Sequence, residues 1–72
     1  MFQLAAESRV RLEIFDGSGK LVVILKDAVM PAGKYEIEWD NKTSTGEKAH
    51  AGVYFYKFTM DGLPQVGKLV LY

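Results

Sequence analysis

The chain has no cysteine, one histidine, one tryptophan and only two prolines. Without thiols it can form neither a disulfide framework nor a thiolate zinc site, and cysteine usage indicates no particular redox compartment. An excess of charge of one sign is also missing, because nine basic side chains balance nine acidic ones. Nucleic acid and anionic membrane surfaces both need a basic footprint, so neither is an expected partner. No apolar run approaches the roughly 18 residues that suggest a membrane-spanning helix, and membrane insertion is not expected. Length adds a further exclusion. A chain of 72 residues allows one small domain that buries only about 60% of its unfolded surface, which leaves a thin core and little room for a deep catalytic cleft.

What is present has a period of two. In residues 8–16, Val10, Leu12 and Ile14 alternate with Arg9, Arg11 and Glu13, the pattern of a half-buried strand. Residues 34–40 repeat it, with Tyr35, Ile37 and Trp39 on one side and Lys34, Glu36 and Glu38 on the other. Residues 52–60 are aromatic and β-branched, and Lys57 and Thr59 mark the polar side, so Tyr54, Tyr56, Phe58 and Met60 are expected inward. Shorter strands are expected at residues 2–5 and 66–72. Residues 20–26 also predict a strand, although Leu21, Ile24, Leu25, Ala28 and Val29 fit a helical stripe. The β-branched run Val22-Val23-Ile24 and the early stop at Pro31 and Gly33 decide for the strand.

Turn chemistry joins these strands. Asp16-Gly17 and Asp61-Gly62 each lie between two strand runs, and Asp-Gly favours a hairpin because the turn needs positive φ. A two-residue turn at Gly17-Ser18 predicts Ile14 opposite Leu21, Leu12 opposite Val23 and Val10 opposite Leu25. A turn centred on Gly62-Leu63 predicts Phe58 opposite Gly67, Tyr56 opposite Leu69 and Tyr54 opposite Leu71, and sets Lys57 against Lys68. Residues 41–51 form the longest loop. Six or seven short strands with no helix predict an all-β antiparallel sandwich of one domain over residues 1–72.

Catalytic, cofactor and metal sites are not expected. His50 lies in the long loop, and no serine has the setting of an activated nucleophile. Glu36 and Glu38, about 7 Å apart along one strand face, could match an inverting glycosidase pair. They lie on a solvated face, however, where pairing with Arg9, Arg11 or Lys34 is the simpler expectation. Asp16, Asp40 and Asp61 each end a strand but lack a calcium-loop spacing. The inward aromatics fill the core and do not form an outward sugar platform. The less ordinary feature is an apolar outer face. Val22, Ile24, Val53, Phe55, Val70 and Tyr72, with Phe15, are expected to point away from the core. They form a candidate docking patch for a protein partner or for homo-oligomer formation.

Several motifs occur in order: Val10-Arg11-Leu12-Glu13-Ile14-Phe15-Asp16, Gly19-Lys20-Leu21-Val22, Pro31-Ala32-Gly33-Lys34-Tyr35-Glu36-Ile37-Glu38-Trp39-Asp40, then Gly46 and Gly52-Val53-Tyr54-Phe55-Tyr56. In this order they resemble the Ig-like domain named after the flagellar hook-capping protein, and equally the related C-terminal sorting domains of type IX secretion cargo. The resemblance implies an Ig-like sandwich. It assigns Gly33, Tyr35, Trp39, Asp40, Gly46, Gly52, Tyr54, Tyr56 and Lys68 as family-motif positions with structural or recognition roles. Asn41 and Thr43 depart from the glycine and aspartate usual in the loop, and Ala49-His50-Ala51 stands where a proline is common. The Tyr-Phe-Tyr run and the final Lys68-Leu69-Val70-Leu71-Tyr72 resemble the sorting branch more. That branch implies a non-catalytic, cofactor-free C-terminal module of a secreted or cell-surface bacterial protein, recognised by an outer-membrane secretion machinery. The alternatives are a structural assembly domain of the hook-cap type and a small carbohydrate-binding accessory module. Met1 followed directly by strand sequence, without a signal peptide, points to a domain excised from the C-terminus of a larger chain.

Overall fold

A computed structural model describes residues 1–72. Six strands follow in chain order: β1 (Phe2–Leu4), β2 (Ser8–Asp16), β3 (Leu21–Met30), β4 (Gly33–Tyr35), β5 (Gly52–Met60) and β6 (Leu63–Leu71). They form two antiparallel sheets, one of four strands in the order β3-β2-β5-β6 and one of two strands, β1-β4. The fold is therefore the expected all-β sandwich with no helix. Its core is thin, with six buried hydrophobic residues, as the small surface-to-volume advantage of such a chain requires.

The core divides in two. At one end Leu4, Val10 and Met30 are buried together, flanked by Phe2, Tyr35 and Phe58. Phe2 stacks on Tyr35 at 5.5 Å and meets Phe58 edge-on at 4.9 Å. At the other end Ile14, Ala49 and Tyr54 are buried. Trp39 packs edge-on against Tyr54 at 5.2 Å. The Tyr54 hydroxyl donates to the His50 carbonyl at 2.7 Å, so the buried ring of this cluster keeps its polar tip satisfied.

Both hairpins depart from the expected registers. In β5–β6 the turn is Asp61-Gly62, not Gly62-Leu63, with φ of 49° and 83°. These are the paired positive φ values of the turn that best matches strand twist. Tyr54 now faces Leu69, Tyr56 faces Gly67 and Phe58 faces Gln65. A shift of two leaves every side chain on its expected face. It also separates the two lysines, since Lys57 faces Val66 and Lys68 faces Phe55.

The β2–β3 hairpin deviates further. Its loop is Gly17-Ser18-Gly19, closed by the Asp16 amide bonding the Lys20 carbonyl. Phe15 faces Leu21, Ile14 faces Val23, and Leu12 faces Lys26, with register shifts between Ile14 and Phe15 and between Leu12 and Glu13. Val22 and Leu25 are thus extra residues on β3, each reversing the alternation. Val22 and Val23 consequently both pack on the inner cluster, as does Leu25. Two bulges in a ten-residue strand explain why its apolar positions imitate a helical stripe. The strand also runs four residues beyond Lys26, to Met30.

Residues 34–40 keep the expected alternation, with Tyr35, Ile37 and Trp39 half-buried and Lys34, Glu36 and Glu38 exposed. Only Gly33–Tyr35 is laddered, however, because the neighbouring strand β1 supplies three partners and ends at Phe2. β6 begins at Leu63, earlier than expected, and carries Pro64 on the edge of its sheet. Proline is tolerated there because an outward N–H is not required.

Candidate interaction faces

The outer face of the four-stranded sheet is divided along the strand direction. Toward the Asp61 turn it carries the charged side chains, with Val29 and Val66 exposed among them. Arg9 and Arg11 both bond Asp27, at 2.6 and 3.0 Å, and Arg11 lies 3.3 Å from Glu13. These arginines do not pair with Glu36 or Glu38, which belong to the opposite layer. The carboxylate of Asp61 accepts the Arg9 amide at 2.8 Å while its own amide donates to the Arg9 carbonyl at 2.9 Å. That double bond pair ties the β5–β6 turn to β2.

Toward the opposite end the same face becomes apolar. Leu21 faces Phe15, Phe15 faces Phe55, and Val53 faces Val70 across neighbouring strands. Val53, Val70, Leu21 and Ile24 are each about two-fifths exposed, and Tyr72 is fully exposed. Five of the six expected patch residues therefore lie outward or at its margin. Val22 does not. The bulge rotates it onto the inner cluster, and Leu21 takes its place beside Phe15. The exchange was hidden in the sequence because both residues are aliphatic and adjacent.

The family-motif positions divide into turns, core and edge. Tyr54, Trp39 and Tyr56 meet at the inner cluster. The hydroxyl of Tyr35 donates to the Pro31 carbonyl at 2.6 Å and closes the β3–β4 turn, with its ring over Gly33. The Asp40 carboxylate caps the Lys42 amide at 3.1 Å, and the Trp39 indole donates to the Lys42 carbonyl at 2.9 Å. Residues 41–51 are more ordered than a long polar loop suggests. Asn41 takes φ 62°, Ala49 bonds Asn41, Thr43 bonds Glu47, and the Ser44 amide reaches the Val22 carbonyl on the β3 edge. Gly46 and Gly52 lie in and just after this loop, His50 is exposed, and Lys68 lies on the outer face opposite Phe55.

One signal went unread in the sequence. Gly67 faces Tyr56, and a Cβ at Gly67 would collide with the Tyr56 ring. The glycine is a seat for the aromatic side chain. A glycine inside a strand run, two positions before Leu69, was the available sign.

Electrostatics is concentrated at Asp16. Its carboxylate accepts the Ser18 hydroxyl at 2.7 Å and the Ser18 and Lys20 amides at 2.9 Å. The Ser18 hydroxyl bond, foremost, and the Lys20 amide hold its pKa below the ordinary aspartate value. The group organises a turn.

Compared with known protein families, residues 2–68 match the FlgD Ig-like domain. No match is found among curated proteins or among solved structures.

Proposed function

Because the chain belongs to the FlgD Ig-like domain family, we propose that it is a structural assembly module of a bacterial surface or extracellular protein. It acts by docking on a protein partner and not by catalysis. The observation that supports this reading is the apolar half of the outer sheet face, where Phe15, Phe55, Val53 and Val70 are contiguous across three strands. Large exposed apolar patches mark interaction surfaces. Phe55→Ser together with Val70→Thr tests it. The double variant should keep its strand signature by circular dichroism and its cooperative unfolding, yet lose self-association or binding to flagellar hook subunits in sedimentation. Unchanged association would refute the docking role, and loss of the fold would make the patch part of the core.

The second reading, a type IX secretion sorting domain, is favoured by one feature. The aromatic strand β5, its hairpin and a lysine-led final segment from Lys68 follow in the order that branch uses. A periplasmic reporter fused to residues 1–72 should then reach the surface in a competent host. Retention in the periplasm would eliminate it.

A further inference from the structure

The outward side chains of the large sheet stand in rows across all four strands, because register pairs lie level with one another. In one row Glu13 and Lys57 hold the two central places, with Ile24 beyond Glu13 on β3 and Val66 beyond Lys57 on β6. The next row toward the apolar end is Leu21, Phe15, Phe55 and Lys68. The next row the other way is Asp27, Arg11, Thr59 and Pro64. Glu13 and Lys57 are opposite each other yet form no ion pair. Glu13 turns to Arg11 on its own strand, at 3.3 Å, and its side chain is 13% exposed. Lys57 is half-buried and takes part in none of the ion pairs of the fold. A cation without a partner therefore sits at the centre of the face.

The row Ile24, Glu13, Lys57, Val66 complements its own reverse. Apolar, acidic, basic, apolar reads back as apolar, basic, acidic, apolar. A two-fold axis parallel to the strands, midway between β2 and β5, performs that reversal. On the footing that this face is a docking surface, we propose that its occupant is a second copy of the chain, packed sheet on sheet about that axis. Glu13 of each copy then meets Lys57 of the other, Phe15 meets Phe55, and Ile24 meets Val66. Lys68 lays its aliphatic stem over Leu21 and keeps its ammonium at the rim. In the remaining row Arg11 meets Thr59 and Asp27 meets Pro64, so no like charges oppose. Packed sheets cross at about 30°, and the charged and aromatic pairs lie nearest the axis, where that rotation displaces them least. An axis across the strands through the same row would set Glu13 on Glu13 and Lys57 on Lys57. Moved between this row and the aromatic one, it would bury Glu13 against Phe15 with no new cation. The charge pattern selects one orientation. At ordinary strand and residue spacings the face offers roughly 500 Å² on each copy. That is near the lower bound for a specific interface, so dimerisation is expected at about 10–100 μM.

Sedimentation equilibrium of the full chain should show a monomer–dimer equilibrium. Lys57→Glu should weaken it about a hundredfold, because each pair occurs twice in a two-fold dimer. Glu13→Lys should do the same. An equimolar mixture of the two variants should dimerise as the parent chain does, since only unlike copies restore both pairs. Circular dichroism establishes that each variant is folded. Independently of any variant, a mixture of isotope-labelled and unlabelled parent chain should give nuclear Overhauser contacts between Phe15 of one copy and Phe55 of the other. A parent chain still monomeric at millimolar concentration overturns the proposal. So does a dimer indifferent to both charge reversals, or a mixture of folded variants that stays monomeric. If either variant unfolds, absence of the Phe15–Phe55 contact is the refuting result. Failure here is separable from failure of the docking role. A monomeric parent chain that still binds hook subunits, and loses them with Phe55→Ser and Val70→Thr, docks through this face on a different partner.

Discussion

The two hairpins of the large sheet have similar lengths and opposite characters. β5–β6 runs through nine consecutive pairs from Met60↔Leu63 to Gly52↔Leu71 without a shift. β2–β3 shifts register twice within eight pairs. The regular hairpin follows from its turn, because a two-residue turn with both φ values positive leaves no spare residue. The irregular one is shaped by what surrounds it. Its bulges turn Val22, Val23 and Leu25 toward Ile14, Ala49 and Tyr54 and leave the Val22 carbonyl for Ser44. An edge strand thereby closes one end of the core and docks the long loop. β6 packs Leu69 and Leu71 on the same cluster but makes no backbone bond to the long loop, and Leu63, Val66 and Val70 remain exposed along it. Turn chemistry sets register only while the strand lacks extra residues, and burial decides where those residues go.

This contrast can be broken most sharply in the core. Ile14→Ala, at a residue 2% exposed against the bulged hairpin, should cost about 2–5 kcal/mol in urea unfolding. Leu69→Ala on β6, which is only half-buried, should cost distinctly less. Equal losses would mean that both hairpins close the core alike. A smaller effect is expected at Gly67. Alanine there drives the Tyr56 ring off the regular hairpin, at about 1–3 kcal/mol, and Tyr56→Leu in the same chain should recover part of it. Full additivity in that double-mutant cycle would remove the contact as the cause.

The smallest effect lies in the irregular hairpin's loop. The pKa of Asp16 is lowered in the folded chain by its bonds to Ser18 and Lys20. Its contribution to stability is therefore in place above the ordinary aspartate range and is lost as pH falls through the lowered folded value. Asp16→Asn should lower stability slightly near neutrality, converge with the parent chain at low pH, and so flatten the acid side of the stability profile. An unaltered acid slope would assign the pH dependence elsewhere.

Different parts of this molecule were legible to different depths. β5 was readable at both ends because Gly52 and the Asp61-Gly62 turn bracket an unbroken aromatic and β-branched run. The inward placement of Tyr54, Tyr56 and Trp39 was equally plain, since two-residue periodicity needs no knowledge of the neighbouring strand. β3 was readable as a strand but not in register, because bulged residues break the period that register arguments use. Residues 36–40 had the composition of a laddered strand and lack the ladder. Of the candidate patch, Val22 was misplaced by a single bulge, while Val53, Phe55 and Val70 kept their outward face through a shift of two.

Sequence alone determined that this is a small neutral β-sandwich, which residues alternate inward, and where the chain turns. Those properties depend on side-chain period and on φ preferences of adjacent residues, which are local. Tertiary structure decided that β2 lies between β3 and β5 and that β3 carries two bulges. Each of these depends on which backbone ladder and which apolar surface a strand finds across space. That choice is a competition among distant segments, and no window along the chain contains it.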